Sequence, residues 1–270
     1  CVCSSSLMSL LLRKHFNKYF TYRKISQRYL LTRFTIIGLP NILLFDMLQD
    51  GKAWVEKGVS MGDSFEELRQ TCPDKKREDG VFVQLCEVTP DPRIIKTHLP
   101  LSLLPPDILD TAKVVYVARN PRDVTVSMYH HFQHLNLHSY TGTFENFANE
   151  YFPVSTVLYC PYWPHVKMAW EKKDHPNMHF VFYEDKKADI MSELRKLNDF
   201  LGANLTQQQL DNVKREADDI VFNKDVQKSS GGFFRKGIIG DWRTHFSPEL
   251  EQEMNHWIET NASEIGISFK

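Results

Sequence analysis

The chain has 270 residues, 42% of them hydrophobic and 25% charged, which fits one soluble globular domain or two small ones with a sizeable core. Five scattered cysteines, Cys1, Cys3, Cys72, Cys86 and Cys160, form no CxxC pair and no metal-ligand spacing, so buried thiols in a reducing, cytoplasmic setting are expected rather than a disulfide framework. The net charge of −1 hides an asymmetry: residues 1–45 hold seven Lys or Arg and no Asp or Glu, leaving the remainder with 26 basic and 34 acidic residues, a poor balance for nucleic-acid binding.

The basic start reads as an ordinary helix or extension, with a transit segment or a membrane-surface helix as alternatives. We set residues 1–45 apart from a single domain over 46–270. The first residue is Cys1, not Met, which suggests that the true beginning is missing. The apolar run "FTIIGLPNILLF" is too short to span a bilayer and is interrupted by Gly38 and Pro40, so no transmembrane segment is expected. The polar stretch "PDKKREDG" at 73–80 predicts an exposed loop.

From about residue 90 short apolar runs alternate with helical periodicity. "RIIKTHL" and "KVVYVAR" predict buried strands, and "PRDVTVSMYHHFQHL" a helix capped by Asn120 with Pro121 at its first position. "MHFVFYE" predicts a third strand, followed by one helix over "KKADIMSELRKLNDFLG" ending at Gly202. Thr206 opens a helix to about Ala217, and Ser247 with Pro248 opens the last one, "SPELEQEMNHWIETNA". Strands separated by helices imply an α/β fold, a central parallel sheet with helices on both faces.

Ligands of such sheets sit outside the carboxyl ends of the strands. There Arg119 precedes a helix N-terminus, with Ser127 two turns inside, a combination of cation, N–H groups and hydroxyl suited to a phosphate. The alternative is that Arg119 pairs with a carboxylate and Ser127 faces solvent. His98 ends another strand beside Lys96: it reads either as a structural histidine or, with the neighbouring cation lowering its pKa, as a general base. The run His130, His131, His134, His138 has two members at i, i+4 but no HExxH glutamate and no Cys partner, so no metal is expected. In "GGFFRKGIIGDW", residues 231–242, glycines such as Gly237 let backbone N–H groups approach an anion while Arg235 and Lys236 add charge. Phe233 and Phe234 sit against a base or anchor the loop in the core.

The motifs "IIKTHLP", "VVYVARNPRDVTVSMYHH", "FVFYED" and "FFRKGIIGDW", with "CPYWPHVKMAW" between them, resemble those of the cytosolic sulfotransferase family in order and spacing, over about residues 86–270. The resemblance implies a parallel sheet flanked by helices, a P-loop-kinase-like sulfotransferase fold. It implies 3′-phosphoadenosine 5′-phosphosulfate (PAPS) as co-substrate and a small-molecule hydroxyl, phenol or alcohol, as acceptor. By resemblance His98 deprotonates the acceptor, Lys96 lies beside the sulfonate, Arg119, Ser127 and Phe233 to Gly237 hold the 3′-phosphate, Tyr183 contacts adenine and Phe222 stacks on it.

The chain also departs from the family. A phosphosulfate loop similar to YPKSGTTW, which would hold the 5′ end, is absent; "DGKAW" at 50–54 has a Gly-Lys pair but no small hydroxyl residues. The C-terminal dimer motif, similar to KxxxTVxxxE, becomes Arg243, Ser247, Pro248 and Gln252, so the family's homodimer is not expected. Lys186 replaces the methionine of YEDM. Two function classes follow: a sulfotransferase, or a non-catalytic nucleotide-binding relative or incomplete product that keeps only the 3′-phosphate half.

Overall fold

The computed structural model describes residues 34–37, 72–74, 76, 94–97, 99–134, 140–151, 161–222 and 237–270. Four strands, β1 (Phe34–Ile37), β2 (Ile94–Thr97), β3 (Lys113–Ala118) and β4 (Met178–Phe182), form one parallel sheet in the order β2-β1-β3-β4. β1 is an addition to the sequence reading, which set residues 1–45 apart: the sheet takes an inner strand from that segment. In register, Ile37 of β1 lies level with Thr97 of β2 and Tyr116 of β3, while β3 and β4 run on to Ala118 and Phe182. The carboxyl ends of all four strands therefore open on one edge of the sheet.

β3 shows why the sheet is covered on both sides. Successive side chains of a strand point to opposite faces, and here both faces are apolar. Val115 and Val117 pack with Val181 against Leu194, Leu197, Leu210 and Val213. Val114, Tyr116 and Ala118 pack the other way, with Met178, Ala169 and Ile108. Two-sided burial is what favours a β-branched run such as "KVVYV".

The helices follow local signals. α1 (Pro121–His134) starts where Asn120 Oδ1 accepts the Arg122 N–H at 3.0 Å. α2 (Tyr162–Trp170) supplies Tyr162, Trp163 and Val166 to a core shared with Val124, Met128 and Phe132 of α1. β4 ends two residues sooner than the expected strand, because Tyr183 already begins α3 (Tyr183–Ala188). The single helix expected after it is two: Asp189 has φ −144° and its carboxylate caps α4 (Ile190–Leu201) by accepting the Ser192 N–H. Asp at this position offers the backbone a competing bond, which breaks the periodic run. Gly202, at φ +66°, closes α4 as expected.

α5 (Gln207–Phe222) begins at a capping box in which Gln209 N–H donates to Thr206 Oγ1 and Thr206 N–H to Gln209 Oε1; it runs five residues past Ala217. α6 (Pro248–Ile265) starts at Ser247 as read, lays Met254, Ile258 and Ala262 into the core, and ends at Gly266. The turn at Pro73–Asp74 is exposed. Among the described residues no helix is long and apolar enough to cross a membrane, no group of His, Cys, Asp or Glu is placed to hold a metal, and Cys72 is a free thiol.

Candidate functional site

The site is built where β3 gives way to α1. Arg119 leaves the strand with its carbonyl fixed by the Tyr162 hydroxyl, a buried donor at 2.6 Å from α2. Burial holds the Tyr162 phenol well above its ordinary pKa, so it stays a donor. Three residues earlier, Tyr116 is bonded to His165 Nδ1 at 2.8 Å. α2 thus pins the end of β3 through two buried side chains.

The Arg119 side chain is 6% exposed. Its guanidinium lies 4.5 Å from the Tyr183 ring centroid, its Nη2 donates to the Ile238 carbonyl at 3.0 Å, and Asp123 Oδ2 stands 3.7 Å away. Its Nε is buried without a hydrogen-bond partner. Tyr183 in turn donates its hydroxyl to the Gly237 carbonyl at 3.0 Å, and Lys186 and Lys187 put their ammonium groups 5.0 and 6.0 Å from its ring. Three cations thus stand within reach of one aromatic ring.

Glu184 stands across from Arg119. Its Oε1 accepts the Asn120 N–H at 2.9 Å and its Oε2 is buried without a hydrogen-bond partner. Burial raises the pKa of this carboxyl, against the Asn120 hydrogen bond and the Arg119 charge, which lower it. Buried polar atoms without partners are rare in folded proteins and cluster where a ligand or water completes the bonding.

The segment from Gly237 to Trp242 closes the corner. Gly237 and Gly240 have φ +60° and +80°, the left-handed region that disfavours side chains. Asp123 Oδ2 accepts the Gly240 N–H at 2.8 Å and Oδ1 the Trp242 N–H at 3.3 Å. Asp123 and half-buried Ser127, four residues apart, share one side of α1, and Arg119 immediately precedes the helix.

Of the residues read from the sequence, the structure brings Arg119, Tyr183 and Gly237 together, while Ser127 lies half-buried in α1. Lys96 is on β2, at the same sheet edge but separated from β3 by β1, or roughly two spacings of about 4.8 Å. Phe222 ends α5. His98, Phe233, Phe234, Arg235 and Lys236 lie outside the described residues. The alternative that Arg119 pairs with a carboxylate has its partner in Asp123 at 3.7 Å, and Nε has no hydrogen-bond partner. The sequence reading missed Asp123, Glu184 and Tyr162. The i, i+4 spacing of Arg119 and Asp123 was a signal for the first; nothing local marks the other two.

The profile of the family described as "Sulfotransferase domain" matches residues 42–266. The chain belongs to the sulfotransferase family. It is 37% identical over 179 residues to Sulfotransferase 1A1 of Bos taurus, covering 61% of this chain and 60% of that one. It is 40% identical over 173 residues to Sulfotransferase 1A1 of Mus musculus, covering 59% of each. The chain thus spans about 60% of the length of these curated relatives. The crystal structure of retinol dehydratase in complex with androsterone and inactive cofactor PAP superposes with a TM-score of 0.67 at 26% identity, covering 96% of this chain and 87% of that chain. That of mouse sulfotransferase SULT7A1 complexed with PAP gives 0.64 at 25%, covering 94% and 88%. The sulfotransferase fold is therefore shared well beyond the segments that carry the sequence motifs.

Proposed function

We propose that the chain is a PAPS-dependent sulfotransferase that moves a sulfonate group to the hydroxyl of a small phenol or alcohol. The observation that carries this reading is the Arg119 corner: a buried guanidinium with a spare Nε–H, beside the N-terminus of a 14-residue helix, in a fold whose solved neighbours are PAP complexes. That donor set fits a phosphate. In this reading Arg119, Ser127 and the run Phe233, Phe234, Arg235, Lys236 and Gly237 hold the 3′-phosphate, Tyr183 contacts the adenine and Phe222 is its stacking partner. When bound, PAPS supplies an activated sulfonate. Lys96 places a cation beside it, and His98 takes the proton from the acceptor hydroxyl, making that oxygen a nucleophile.

A second reading, a nucleotide-binding relative without transferase activity, is favoured by one feature. β1 lies between β2 and β3, and the sequence that follows it, Gly38, Leu39, Pro40 and Asn41, contains no cation and no hydroxyl residue of the kind a 5′-phosphosulfate loop needs. Losing one such electrostatic donor costs about 100- to 1,000-fold in rate. Incubation with radiolabelled PAPS and a panel of phenols and sterols separates the readings. Sulfonated product that falls about 100- to 10,000-fold in His98→Ala, with PAP binding unchanged, supports the enzyme. PAP binding without product supports the second reading, and absence of both overturns the two together.

A further inference from the structure

We infer that Asp123 is a positioning residue of the anion site: it ties the Gly237–Trp242 segment to α1 and so aims Arg119 at a phosphate. The inference rests on the 3′-phosphate reading of the Arg119 corner. An aspartate in the first turn of a helix ordinarily complements the helix dipole from the surface. Asp123 is instead 1% exposed, and both of its oxygens are taken by backbone N–H groups more than 110 residues away in sequence, those of Gly240 and Trp242. The same carboxylate stands 3.7 Å from the Arg119 guanidinium.

With Nη2 engaged by the Ile238 carbonyl and Cζ 4.5 Å from the Tyr183 ring centroid, the direction of the spare Nε–H is set by what holds the 237–242 segment. Asp123 makes two of the side-chain hydrogen bonds that reach that segment from distant parts of the chain, and Arg119 and Tyr183 bind its Ile238 and Gly237 carbonyls. A donor fixed before the ligand arrives loses less freedom on binding.

Two effects of removing the carboxylate have opposite signs. As a mere charge 3.7 Å from the guanidinium, Asp123 opposes an incoming phosphate, and Asp123→Asn would tighten binding. As a positioning residue it favours binding, and the same change weakens it. Asparagine offers one acceptor and turns its NH2 toward the other backbone donor.

The test titrates the full chain with adenosine 3′,5′-bisphosphate and adenosine 5′-monophosphate. In Asp123→Asn we expect the bisphosphate to bind about tenfold more weakly and the monophosphate within about twofold of wild type. Amide exchange at Gly240 and Trp242 accelerates about tenfold or more. Gly240→Ala gives an independent perturbation that keeps every charge, since φ is +80° and its new Cβ would meet the Arg243 guanidinium; the same selective weakening is expected. Tighter or unchanged bisphosphate binding in Asp123→Asn, or unchanged exchange, overturns the role of Asp123. A wild-type preference that survives both variants overturns that role alone. A wild type that does not distinguish the nucleotides overturns the 3′-phosphate reading and this inference with it.

Discussion

Arg119→Ala should separate ligand binding from structure at one residue. Removing the guanidinium takes from a bound 3′-phosphate a charge-assisted hydrogen bond of about 1.5–3 kcal/mol, roughly 10- to 150-fold in affinity. It also leaves Asp123 and the Ile238 carbonyl without their Arg119 contacts. Breaking a buried ion pair costs about 3–5 kcal/mol; the low end applies here, because Asp123 keeps two backbone donors and the charges are 3.7 Å apart. The variant is therefore expected to be about 3 kcal/mol less stable in urea and, on the folded protein at low temperature, to lose the bisphosphate selectively while adenosine 5′-monophosphate binds nearly as before. Equal losses for both nucleotides would mean that Arg119 serves only to dock the 237–242 segment.

Tyr116→Phe removes the buried partner of His165 Nδ1 and should cost about 1–3 kcal/mol in urea unfolding; a change under about 0.3 kcal/mol would show the bond to be replaceable. Glu193 gives a pH signature. Burial alone would raise its carboxyl, but hydrogen bonds from His179 and Lys196 outweigh that and hold it below the usual value of 4.5. Its contribution is full above that pH and lost as the pH falls through the lowered folded value. Glu193→Gln should therefore be about 1 kcal/mol less stable at neutral pH and converge with wild type in acid; a constant difference down the acid limb would contradict the pairing. Gly202→Ala meets open space but keeps φ +66°, so thermal unfolding should show a loss of about 1–2 kcal/mol from backbone strain alone.

The helices were legible where their signals are local. Asn120 with Pro121, Thr206 and Ser247 with Pro248 mark starts by side chains that bond within three residues, and Gly202 marks an end. Asp189 is the same kind of signal, overlooked because the apolar periodicity on either side of it continues. β1 was hidden for a different reason: four residues, "FTII", in a basic segment become a strand through pairing with β2 and β3, which no local pattern records. Arg119 was placed at the sheet's carboxyl edge by topology alone, whereas the bonds of Asp123 to Gly240 and Trp242 span 117 and 119 residues and leave no trace in spacing. Glu184 sat in a run read as strand and was revealed only by its contact with Asn120.

Calorimetric titration of the wild-type chain with adenosine 3′,5′-bisphosphate and with adenosine 5′-monophosphate tests the 3′-phosphate site most directly. One charge-assisted contact from Arg119, supported by the N-terminus of α1, should make the bisphosphate bind at least about tenfold more tightly. Equal affinities for the two nucleotides, or no binding of either, would contradict it.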